Sequence, residues 1–122
     1  MPTAHFACDL ASADGVRSFI EQGLGREALG EDALFHAQLL ATELVTNAIK
    51  HAGSPVELTV ARRGDRIRIE ARDASTTRPV PPHAEASTRH RGLLLIEDLS
   101  EAWGVDVQAH NGKVVWCELA AA

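Results

Sequence analysis

The chain has 122 residues, 45% of them apolar and 24% charged, with a formal net charge of −5. That is enough for one compact domain, here residues 1–122, built around one core. The acidic balance weighs against a general nucleic-acid binder, no apolar run reaches the ~20 residues of a membrane span, and no signal-peptide pattern opens the chain, so the expected setting is cytoplasmic. Cys8 and Cys117 lie far apart with no Cys-x-x-Cys, which in that setting reads as two free, buried thiols.

His5 to Leu10 reads as a short edge strand. Ser12 or Asp14 caps a helix to about Leu24, with Val16, Phe19, Ile20 and Leu24 on one side. Gly23, Gly25 and Gly30 break the chain before a long helix from about Asp32 to His51, which Ala52-Gly53-Ser54-Pro55 terminates. On this helix Leu40, Ala41, Leu44, Val45, Ala48 and Ile49 form an apolar arc. Glu43, Asn47, Lys50 and His51 read as its opposite, polar side, with His36 joining them one turn earlier. Glu and Asn one turn apart suit two oxygen-based tasks: the carboxylate can accept a proton, and the amide oxygen can ligate a hard cation such as Mg²⁺. An ordinary solvated helix face has the same pattern, so these residues alone leave both readings open.

Val56, Leu58 and Val60 alternate with Glu57 and Thr59, Arg63-Gly64-Asp65-Arg66 forms a turn, and Ile67 and Ile69 continue the alternation, which predicts a hairpin. Arg62, Arg63, Arg66, Arg68 and Arg72 give it a basic side that reads as a solvated face. Ala74 to Arg91 carries Pro79, Pro81 and Pro82 and only Val80 as a large apolar residue, so it predicts a mobile loop, either a lid or plain disorder. His83 and His90 in this loop lack metal-ligand spacing. Gly92 opens a helix over Leu93 to Ser100. Two strands follow, Trp103 to Ala109 and Lys113 to Leu119, joined at His110-Asn111-Gly112-Lys113, where Asn-Gly signals a type I′ turn. Trp103 and Trp116 read as packing residues. The order β-α-α-β-β-loop-α-β-β predicts an α+β fold, a two-layer sandwich of a mostly antiparallel sheet covered on one face by helices.

Four segments in this order resemble the GHKL ATPase superfamily, whose members include gyrase, heat-shock chaperone and histidine-kinase ATP-binding domains. The N-box is similar to Glu43-Leu44-Val45-Thr46-Asn47-Ala48-Ile49-Lys50-His51, and the carboxylate-ending strand to Ile67-Arg68-Ile69-Glu70-Ala71-Arg72-Asp73. The second glycine box resembles Arg91-Gly92-Leu93-Leu94-Leu95-Ile96, followed by Leu99 and Trp103-Gly104, and the last hairpin Gly112-Lys113-Val114-Val115-Trp116. Within the superfamily the chain most resembles the anti-sigma-factor serine kinase branch, especially the stand-alone ATP-binding regulators of actinobacteria.

The resemblance implies the Bergerat-type ATP-binding fold, with a mixed, mostly antiparallel sheet, and ATP and Mg²⁺ as cofactors. It implies Asn47 as the Mg²⁺ ligand, Glu43 as general base toward a partner serine or a water, and Asp73 as acceptor for the adenine amine. Gly92 and Leu93 would bring backbone N–H groups to the phosphates, and Arg89 and Arg91 would neutralise them. His51 reads as structural or as a supporting contact. The 74–91 loop would be the ATP lid. The implied activity is a serine/threonine protein kinase that phosphorylates an anti-sigma antagonist of the STAS type and also binds a sigma factor, with a homodimer expected. Neither direct nucleic-acid nor membrane binding is implied.

Two departures stand out. The first glycine box of the superfamily is Asp-x-Gly-x-Gly, whereas this chain reads Asp73-Ala74-Ser75-Thr76-Thr77. Many members of the branch have Thr where this chain has Val114. Both bear on the adenine end and favour a competing reading: a partner-switching module that binds ATP weakly or not at all and acts by protein contact. A sensor histidine kinase is not expected, because no phosphoacceptor-histidine helix precedes the domain. A gyrase-type machine is not expected either, because no transducer domain is present.

Overall fold

Period-two alternation on the strands and an apolar stripe on each helix decide the layering. The computed structural model describes residues 3–6, 13–25, 30–52, 55–74, 96–108 and 112–121. In chain order the elements are β1 (Thr3–Phe6), α1 (Ala13–Leu24), α2 (Glu31–Ala52), β2 (Val56–Arg63), β3 (Arg66–Asp73), β4 (Ala102–Gln108) and β5 (Gly112–Ala120). A helical turn at 96–99 precedes β4. It is the described part of the helix expected over Leu93 to Ser100.

The strands form one five-stranded sheet in the order β1-β2-β3-β5-β4. All described pairings are antiparallel, so the mixed sheet expected from the family resemblance is here antiparallel throughout its described strands. Val56, Leu58 and Val60 of β2 and Ile67, Ile69 and Ala71 of β3 are fully buried on the helix side. Against them lie Val16 and Ile20 of α1 and Ala37, Leu40, Ala41 and Leu44 of α2. This is the expected two-layer α+β sandwich, with one core cluster among the described residues.

The other sheet face is polar but not an open basic patch. Arg68 donates to Glu70 Oε2 at 2.7 Å and to Glu118 Oε2 at 2.9 Å, and its guanidinium lies 4.3 Å from the centre of the Trp116 ring. Arg66 pairs with Glu101 at 2.9 Å, and Arg72 donates to Gln108 at 2.9 Å. These charges balance one another. At this exposure each pair adds at most about 1 kcal/mol. Trp103 packs at the margin of the core, and Trp116 lies against Gly104 on the outer face, so both tryptophans are packing residues as expected.

Two local expectations are corrected. The first strand already begins at Thr3, before His5, and is described over Thr3–Phe6, where Phe6 pairs with Val56, while residues 7–10 of the expected span lie outside the described residues. The last hairpin does not turn on Asn111-Gly112. A two-residue loop there would pair His110 with Lys113, whereas Gln108 pairs with Gly112 and Val107 with Lys113. Gly112 is a strand residue, and its positive φ of 81° serves a contact with β3 described below. The Gly64-Asp65 turn is as expected, with Arg63 paired to Arg66.

Cys117 is a free, buried thiol as expected, and Cys8 lies outside the described residues. Removal from water pushes the Cys117 thiol up to about 12. Its folded value is raised, so its contribution to stability is complete below the ordinary value of 9.0 and is lost as pH climbs from there through about 12. In a Cys8→Ser background, Cys117 should resist a thiol reagent at pH 8 while folded and react freely in denaturant. Rapid labelling of the native protein would contradict this environment.

Candidate functional site

Glu43 and Asn47 sit one turn apart in the middle of α2, the longest helix described. Glu43 is half-buried and Asn47 is only 8% exposed. The reading of Asn47 as part of a polar side opposite the apolar arc is therefore corrected. At 100° per residue Asn47 falls about 20° from Leu40, at the edge of the arc rather than across from it. Burial of that edge beside Leu40 and Leu44 carries the amide inward with them. Asn47 Nδ2 has no hydrogen-bond partner among the described residues. A buried amide group without a partner is costly and calls for a ligand or water.

Asp73 ends β3 and continues the inward parity of Ile67, Ile69 and Ala71, so its carboxylate is turned to the helix side of the sheet and is 3% exposed as a residue. Its cross-strand neighbour is Lys113. Lys113 Nζ lies 3.1 Å from Oδ1, to which it donates, and 3.1 Å from Oδ2. The two side chains are 1% and 0% exposed, a fully buried ion pair. Such a pair carries a large desolvation cost and holds only while both partners remain.

Gly112 makes this arrangement possible. A Cβ at Gly112 would stand 1.8 Å from the carbonyl oxygen of Asp73 and 2.7 Å from Cα of Ala74. Only a residue without a side chain lets the start of β5 lie this close to the end of β3.

The structure thus places three of the expected site residues: Glu43 and Asn47 on α2, and Asp73 at the end of β3. Both elements face the same interior layer. Arg89, Arg91, Gly92 and Leu93 lie outside the described residues, as does the expected lid apart from Ala74. His51 is the penultimate residue of α2. The residue opposite Asp73 is Lys113, whereas Val114 is paired with Arg72. Sequence reasoning missed Lys113, although a signal existed. Val115, Cys117 and Leu119 mark the inward parity of β5, and Lys113 falls on it.

The fit to Mg-ATP differs at the two ends. Among the described residues no group of three or more His, Cys, Asp or Glu converges as a metal cage. Mg²⁺ characteristically binds through one or two protein oxygens plus phosphates and water. The buried Asn47 suits that role: its oxygen could take the ion while its unpaired NH₂ donates to a phosphate oxygen. At the base end, the acceptor carboxylate of Asp73 is already engaged by Lys113.

The described structure is thus an antiparallel sheet backed by two helices, with Glu43 and Asn47 on the long helix and an inward Asp73 at the end of the middle strand. Residues 6–118 match the family described as histidine kinase-like ATPase domain, and the chain belongs to it. No curated protein matches the chain. Among solved structures it is similar to the histidine kinase domain of the blue-light activated histidine kinase from Erythrobacter litoralis, at 21% identity and a TM-score of 0.57, covering 94% of this chain and 61% of that one. It is likewise similar to another structure of that blue-light activated kinase, at 21% identity and a TM-score of 0.59, covering 91% of this chain and 41% of that one. The chain therefore spans less than two thirds of either structure, and the likeness is one of fold. No helix among the described residues is long and apolar enough to cross a membrane.

Proposed function

We propose that the protein is an ATP-binding regulator acting as a serine/threonine protein kinase on an anti-sigma antagonist of the STAS type, with a sigma factor as alternative partner. Family membership supports ATP binding and a kinase-like ATPase domain. The observation that carries the finer reading is the pairing of Glu43 with a buried Asn47 whose Nδ2 is unpaired, one turn apart. A pure binding surface has no use for a carboxylate beside an amide poised for phosphate.

Bound Mg-ATP would supply the γ-phosphoryl group. Asn47 would hold the phosphate end. Glu43 would accept the proton of the partner's serine hydroxyl as its oxygen bonds to the γ-phosphorus and the bond to the β-phosphate oxygen breaks. The work of the chain is positioning and proton acceptance. The compartment that fits this role is the cytoplasm.

Asn47→Ala should abolish the Mg²⁺ dependence of ATP binding measured by calorimetry. Its cost in stability should be small, because it removes a buried polar group that lacks a partner. Equal Mg-ATP affinity in the variant and the wild type would refute the assignment of Asn47.

A second reading, a module that switches partners without catalysis, is favoured by the buried Asp73–Lys113 pair at the base end. Phosphoryl transfer to a serine-bearing partner separates the two readings.

A further inference from the structure

We propose that Lys113 sets the base selectivity of this site by holding the carboxylate of Asp73, so that 6-amino and 6-oxo purine nucleotides bind with similar affinity. The inference rests on the nucleotide-binding reading above and concerns the same site. A carboxylate distinguishes a 6-amino purine by accepting its N–H. Here an ammonium 3.1 Å from both oxygens donates to Oδ1 and neutralises the carboxylate, which weakens its hold on a base N–H.

The pair does not open easily. Both side chains are buried, 1% and 0% exposed, so separating them would leave a charge without its partner. Nor can Lys113 withdraw as a strand residue. Its Cα is in register with Asp73, and the preceding Gly112 is seated against the Asp73 carbonyl.

An ammonium has three N–H donors and no acceptor. Donors not spent on Asp73 can serve an acceptor on the base, and both purine types offer one at this edge: N1 in a 6-amino purine, O6 in a 6-oxo purine. Reading by Lys113 is therefore tolerant where reading by Asp73 would be strict. The reach of a donor-only group also explains why a carboxylate can be retained here without enforcing adenine.

The test compares Mg-ATP with Mg-ITP, which differ only at this edge, by calorimetry on the wild type, Lys113→Met and the double variant Asp73→Asn/Lys113→Met. The wild type should bind the two within about threefold. Lys113→Met frees the carboxylate for the amine and should prefer ATP by about tenfold or more, the scale of one charge-assisted hydrogen bond. The double variant leaves no buried charge at this pair, so it should fold even where the single variant does not. Its amide can turn either oxygen or NH₂ to the base, so the preference should vanish again. A wild type that already prefers ATP tenfold overturns the proposal, as does a folded Lys113→Met with an unchanged ratio or a double variant that gains the preference. Failure of all three proteins to bind either nucleotide overturns the nucleotide reading, and the proposal falls with it.

Discussion

Glu43→Gln is expected to leave Mg-ATP binding near the wild-type value and to slow phosphoryl transfer to a cognate serine-bearing partner by about 10²–10⁴-fold. Gln keeps the length and shape of the side chain and removes its basicity, so the half-buried position on α2 should accept it without repacking. Binding is left to Asn47 and the phosphate end, one turn away. A loss confined to transfer therefore separates a proton acceptor from a residue that merely supports the pocket. The measurement is transfer of labelled phosphate at a nucleotide concentration shown to saturate both proteins. Undiminished transfer by Glu43→Gln removes the general-base role. A wild type that binds Mg-ATP yet phosphorylates no candidate antagonist leaves the non-catalytic module as the better account.

The fold was legible because its signals are periodic. Val56-Glu57-Leu58-Thr59-Val60 and Arg66-Ile67-Arg68-Ile69-Glu70 alternate over a clear turn, and burial follows that alternation residue by residue. The long helix was bounded to within a residue or so by its Gly–Pro stop. Asn47 shows where the pattern misled. An arc of six apolar residues is wide enough that a polar residue at its edge is drawn into the interior with its neighbours. The last hairpin misled for a different reason. Asn-Gly is a turn signal because glycine tolerates positive φ, but that tolerance also serves close approach between strands, and Gly112 uses it that way. Lys113 lay on an inward position of β5 and was passed over, since a lysine on a strand is ordinarily solvated. Its burial follows only from the register with Asp73, a contact spanning 40 residues that no local pattern carries.

Gly112→Ala should be among the most destabilising single-methyl changes in the protein, by about 3 kcal/mol or more, and should weaken nucleotide binding with it. Two effects add. A non-glycine residue at the observed φ of 81° is strained by about 1–2 kcal/mol. The new Cβ would also stand 1.8 Å from a backbone oxygen of Asp73, where no flexible side chain can yield and the two strands must part. Gly64 supplies the control. Its φ is 62° and a Cβ there would meet nothing within 4 Å, so Gly64→Ala should show the strain alone. Denaturant titration of the two variants then isolates the contact between β5 and the end of β3. Parting those strands would displace Asp73 and Lys113 alike from the base end of the site, so Gly112→Ala should lose stability and nucleotide binding together, whereas Gly64→Ala should bind as the wild type does. Equal destabilisation in the two variants would mean that β5 does not lie against the Asp73 carbonyl.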